Sequence, residues 1–133
     1  MIHAVIDTNV IVSALLTHNV ESPTVKLIDA MLRDRITPLY NNDIINEYRD
    51  VLGRAKFGFT SKIVDHYINA IQNKGISAER VPSGESFPDS DDAVFYEVAL
   101  SKEDAYLVTG NIKHFPKKPI VVTPAEMLEI LNS

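Results

Sequence analysis

The sequence predicts an α/β protein, a three-layer sandwich in which helices flank a central, mostly parallel sheet. Two observations carry that expectation. The run Ala4-Val5-Ile6 is short and β-branched, and reads as a strand buried on both faces. Further short apolar runs then alternate with longer stretches of helical spacing, an order that implies parallel pairing and right-handed crossovers. The 133 residues, 45% of them hydrophobic and 23% charged, suit one domain over 1–133 with a real core. No repeat, low-complexity tract or long linker divides the chain. Strand order is not written in such a pattern.

The elements follow in order. After Ala4–Ile6 the chain turns at Asp7-Thr8-Asn9, and Val10 to Leu16 is expected to be helical. Ser22-Pro23 starts a second helix, serine as N-cap and proline in the first turn, running to about Arg33 with Val25, Leu27, Ile28, Met31 and Leu32 inward. Ile36 to Tyr40 is a short strand. Asn41-Asn42 offers caps for a helix through Leu52, and Gly53 to Thr60 is a loop. Ile63, Val64, Tyr67, Ile68 and Ile71 space a helix from Ser61 to Lys74, closed by Gly75. Val81 to Pro88 reads as a short strand and a loop, Asp91 to Ser101 as a helix, and Ala105 to Thr109 and Ile120 to Val122 as strands. Thr123-Pro124-Ala125-Glu126 is a capping box that opens a last helix to Leu131.

Composition excludes several classes. With no cysteine there is no disulfide, thiolate metal site or cysteine nucleophile. Asp7 interrupts the first apolar stretch, so no signal peptide is expected, and no segment is long enough to span a bilayer; a cytoplasmic location fits both. The net charge is −5, from 13 basic and 18 acidic residues. A protein that holds nucleic acid by bulk charge is usually basic. Handling a phosphate polymer here calls for bound cations or a local basic patch.

In open α/β sheets ligands bind beyond the carboxyl ends of the strands, near a switch in strand order. Asp7 follows the first strand and Asn111 follows the strand ending at Thr109. Asp89, Asp91 and Asp92 lead into a helix. Glu47 falls three residues after Ile44 and four before Val51, on the edge of its helix's apolar stripe, whereas Asp43 and Asp50 point to solvent. Asp92 shares the inward face with Phe95, Tyr96 and Ala99. Inward carboxylates are expensive without a positive partner, and a hard divalent cation with oxygen ligands is the natural one. Each residue also has a plainer use. Asp7 and Asp89 to Asp92 suit helix capping, and Glu47 suits a solvated helix surface.

These motifs resemble the PIN-domain family. Val5-Ile6-Asp7-Thr8-Asn9-Val10 is similar to its opening strand and acidic turn, and Glu47 within Ile44 to Leu52 to its second acid. Asp89-Ser90-Asp91-Asp92 before Ala93 to Ala99 resembles the third acidic block, and Leu107-Val108-Thr109-Gly110-Asn111 the last motif. Within that family the motifs look like those of the bacterial and archaeal toxins of toxin–antitoxin modules. The resemblance implies a Mg²⁺- or Mn²⁺-dependent endoribonuclease acting on single-stranded RNA, often dimeric or of higher order, with an antitoxin as partner. Asp7, Glu47 and Asp92 are then the central catalytic and metal-binding acids, with Asp89 and Asn111 as further ligands. Thr8, Asn9, Asp91 and Thr109 support them.

One departure is Asn111, where many members carry aspartate; its carbonyl can coordinate but brings no charge. His114 also stands where some toxin-branch members carry an acid. Lys113, Arg49 and Arg54, with Lys56, Lys117 and Lys118, are candidates for guiding the strand, while Tyr48 and Tyr96 have the spacing of core residues. Two other readings remain. One is a catalytically weak PIN domain that binds a partner, and the other is a receiver-type phosphoacceptor. Against the latter, Glu47 on a helix has no role there and Lys117-Lys118 precedes its strand.

Overall fold

The computed structural model describes residues 2–133. Five strands form one parallel sheet: β1 (His3–Ile6), β2 (Thr37–Tyr40), β3 (Ile76–Ser77), β4 (Tyr106–Val108) and β5 (Val121–Val122). Their order is β3-β2-β1-β4-β5. Six helices surround it: α1 (Thr8–Leu16), α2 (Pro23–Leu32), α3 (Asn42–Leu52), α4 (Ser61–Lys74), α5 (Ala93–Ala99) and α6 (Pro124–Leu131). The expected three-layer α/β sandwich is what forms. β1 is central, so Ala4, Val5 and Ile6 are wholly buried, which is why that strand carries no polar alternation. α5 lies across β1, β4 and β2, while α2 joins α1 to α6 and α4 packs on β2 and α3.

Three of the helix caps behave as their residue types dictate. Asn41 Oδ1 accepts from the Ile44 amide at 2.9 Å, and Thr60 Oγ1 from the Ile63 amide at 3.2 Å. Thr123 and Glu126 form the full reciprocal box, at 3.2 and 2.9 Å. Ser22 stands at the N-cap of α2 but does not cap it; its hydroxyl meets that of Thr24 at 3.0 Å.

α1 starts at Thr8, two residues before the expected Val10, and three further segments differ from expectation. No strand forms at Val81, which is exposed. Its amide donates to the Glu97 carbonyl, and the Glu97 carboxylate holds Arg80 and Ser83, strapping this irregular segment to α5. The missing strand is β3, two exposed residues at the sheet edge. The helix expected over Asp91–Ser101 is a 3-10 turn at Ser90–Asp92 followed by the shorter α5. The loop from Gly53 to Thr60 contains a 3-10 turn at Ala55–Phe57. Among the described residues no helix is long and apolar enough to cross a membrane.

Gly75 does close α4, for a steric reason. Its backbone is extended, and a Cβ there would collide with the backbone carbonyl oxygens of Pro38 and Ile71, where α4 runs down onto β2. Gly75→Ala is expected to lower stability by about 1–3 kcal/mol, the usual cost of overpacking against backbone. Urea denaturation checks it, and an unchanged midpoint would show that this junction is not tight.

Candidate active site

Along the sheet the chain moves outward from β1 to β2 and β3, then returns to place β4 on the other side of β1. The switch therefore lies between β1 and β4, the place where open α/β sheets bind their ligands. Asp7 follows β1 and Thr109 follows β4, so the topology sets these two side by side. The Thr109 hydroxyl donates to Asp7 Oδ2 at 2.7 Å, and Asn9 Nδ2 donates to the same oxygen at 3.1 Å. Asn9 Oδ1 in turn accepts from the Gly110 amide at 3.2 Å, and Thr109 Oγ1 from the Asn111 amide at 3.0 Å. Asp7 occupies the N-cap position of α1 without making a side-chain cap bond. Its carboxylate is held by Thr109 and Asn9 instead.

Tyr48 fixes the neighbouring elements. Its ring is buried on α3 and packs on Phe95 of α5 at a centroid distance of 6.1 Å. Its hydroxyl donates to the Ile6 carbonyl of β1, one residue before Asp7. Burial pushes the phenol's pKa up, with the Asp7 charge adding to it, so it remains a donor. One side chain thus ties together the elements that carry Glu47, Asp7 and Asp92. Tyr48→Phe leaves the packing but removes this bond, and is expected to cost about 1–2 kcal/mol. Paired chemical denaturation of the two proteins measures it, and equal stability would mean the bond contributes nothing net.

Burial is the first cause that holds each of these acids above its ordinary range. Burial raises the Asp7 carboxyl above the ordinary range, against the lowering effect of its donors. Burial, with the charges of Asp7 and Asp89, pushes Asp92 up to about 6. Burial raises Glu47 too, reinforced by Asp91, Asp50 and Asp89. Asp92 precedes α5 without capping it, and its Oδ2 lies 3.5 Å from His114 Nδ1. Asp89 does serve locally, accepting from the Asp91 amide at 2.9 Å; both it and Asp91 are exposed. Asn111 is exposed, directly after the Thr109-Gly110 turn. The contact of His114 with Asp92 was not anticipated as a site feature, because the turn that delivers it, Ile112–His114, leaves no periodic trace in sequence.

A divalent cation is the partner such a centre calls for, and the residues fit one. All the donors are hard oxygens, three of them inward carboxylates. The Thr8 hydroxyl, next to Asp7, is buried with no hydrogen-bond partner. Among the described residues, no group of three or more acids and histidines forms a cage able to hold a metal by itself. An ion such as Mg²⁺ keeps several waters and takes one or two protein carboxylates directly. Asp7 and Asp92 are the pair best placed, Asp92 feeling the Asp7 charge, whereas Glu47 feels the charges of Asp91, Asp50, Arg54 and Asp89 instead.

The three cations expected to guide substrate are not equivalent. Arg49 is paired with Asp65 at 2.9 Å and Arg54 with Asp50 at 3.2 Å. Lys113 forms no ion pair among the described residues. Tyr48 and Tyr96 are core residues, both buried.

The chain belongs to the PIN-domain family: a family model described as PIN domain matches residues 3–113. Members of that family are generally nucleases. β5 and α6 lie beyond the matched span and extend the same sheet and helical layer. No curated protein and no solved structure matches the chain. The sheet order also removes the receiver-type alternative, whose strands run 2-1-3-4-5.

Proposed function

We propose that the protein is a Mg²⁺- or Mn²⁺-dependent endoribonuclease that hydrolyses phosphodiester bonds of single-stranded RNA, as the toxin of a cytoplasmic toxin–antitoxin module. The observation that supports this most is the pairing of Asp7 and Asp92 at the switch point, each raised by burial and Asp92 further by Asp7. Neither carboxylate is used up in a helix cap. A bound cation supplies Lewis-acid polarisation of the phosphoryl group and a more acidic water. The chain's own residues position and orient. Thr109 and Asn9 hold the Asp7 carboxylate in one orientation, Asp92 and Glu47 complete the oxygen donors, and the Thr8 hydroxyl is free to accept or donate one more bond. Attack by water forms the new P–O bond as the bond to the departing sugar oxygen breaks, and that oxygen leaves with a proton.

A second reading has its own support. Asn111 brings no charge and the chain is acidic overall, so a weakly catalytic domain that acts by binding an antitoxin, or as a homodimer, is the alternative. End-labelled single-stranded RNA incubated with the protein and Mn²⁺, Mg²⁺ or excess EDTA separates the two. Products formed only with metal support the nuclease. Intact RNA with either metal, from folded protein, favours the binding module.

A further inference from the structure

The segment from Asn111 to Val122 holds no acidic residue and carries Lys113, Lys117 and Lys118, in a chain of net charge −5. Among the described residues, none of these lysines forms an ion pair, whereas Lys26, Arg33, Arg49, Arg54, Lys74 and Arg80 all do. The three cations ring a cavity of about 370 Å³ whose apolar walls include Ile112, Phe115 and Val121. That volume falls within the roughly 300–1,000 Å³ of small-molecule clefts. Phe115 is buried and meets Phe87 edge-on at 6.2 Å, so this wall is fixed. Ile112 is 47% exposed, an apolar surface left open to the cavity mouth.

The cavity adjoins the acidic centre through one short turn. The Asn111 amide donates to Thr109, which donates to Asp7, and His114 at the far end of the turn reaches Asp92. Ile112 and Lys113 lie between these anchors. An apolar slot edged by unpaired cations suits a ligand that is flat and apolar in one part and anionic in another. A nucleotide is such a ligand. The lysines also answer the problem of net acidity, since they give local attraction where the overall charge repels phosphate.

We propose that this cavity is the subsite for a nucleotide adjoining the scissile phosphate, its base against Ile112 and Val121 and its phosphates beside Lys113, Lys117 and Lys118. The proposal rests on the nuclease reading and deepens it. A base can enter the slot only when unstacked, so the subsite selects single strands over duplex.

The test is binding of fluorescein-labelled oligouridine in EDTA by anisotropy, across a salt series, where no cleavage occurs. The proteins compared are wild type, Lys117→Ala/Lys118→Ala and Ile112→Glu, all changed at exposed positions. The double variant is expected to weaken binding about tenfold at low salt and to reduce the log–log salt slope by about 0.7 per lysine removed. Ile112→Glu is expected to weaken the single strand by a larger factor than a duplex competitor, because the duplex loses only the electrostatic part. Wild type that binds no oligonucleotide, variants that bind like wild type, or a duplex bound as tightly as the single strand each overturn the subsite. Because binding is read without turnover, metal-dependent cleavage that survives such a result leaves the nuclease standing alone.

Discussion

Asp92→Asn is expected to abolish metal-dependent RNA cleavage and, in the same preparation, to raise the melting temperature of the metal-free protein. The loss of cleavage is expected to be on the order of 10³-fold or more, as for removal of a charged group central to a catalytic site. The gain in stability follows from the cost of keeping this carboxylate charged in the folded chain. Asp92 is pushed up to about 6, first by burial and then by the Asp7 and Asp89 charges. A displacement of that size from the ordinary aspartate value corresponds to roughly 3 kcal/mol. The side chain is 19% exposed, and screening reduces the figure to about 1–2 kcal/mol, or roughly 5 °C for a chain of this length. Asparagine keeps the shape and removes the charge. Calorimetry in EDTA and the cleavage assay together decide the matter. If cleavage and stability fell together, Asp92 would be a structural residue; if cleavage survived, the site would lie elsewhere.

The same opposition explains which parts of the site were legible in sequence. The placement of Glu47 on the edge of an apolar stripe, and of Asp92 on the inward side of its helix, came from helical periodicity, and both are half-buried. The caps at Asn41 and Thr123 came from local hydrogen-bonding chemistry, which short sequence windows contain. Convergence was different. Asp7 and Thr109 are 102 residues apart and meet because β4 pairs with β1, a consequence of strand order that no local pattern encodes. The edge strand β3 escaped notice because two exposed residues held by backbone bonds to β2 need no hydrophobic signature. Val81 looked like the strand instead, but Glu97 had already taken its segment into side-chain bonding. Arg49 and Arg54 illustrate a third limit. The Asp50–Arg54 pair is a helical i,i+4 spacing visible in sequence, while Asp65 reaches Arg49 from another helix.

The acidic centre also predicts how stability responds to pH and metal. Asp7, Glu47 and Asp92 all have folded-state pKa values above the ordinary ones, so in the metal-free protein the folded state holds their protons more tightly than the unfolded state does. Their contribution is therefore fully favourable below about pH 4, where both states are protonated. It is lost as pH rises through the folded value of about 6 for Asp92, and stays lost above it. Other carboxylates titrate in the same window, so the clean observable is the difference between Asp92→Asn and wild type in EDTA. The variant's advantage is expected to be small near pH 4 and to grow to its plateau by about pH 7. Divalent metal reverses the sign, because wild type binds it and the variant binds it poorly. At a Mn²⁺ concentration 100 times its dissociation constant, wild type gains about 2.7 kcal/mol. A difference flat across this range would mean that Asp92 is not crowded by its neighbours. A difference that grows with pH but does not respond to Mn²⁺ would mean that the carboxylates repel each other without forming a metal site, and the nuclease reading would yield to the partner-binding one.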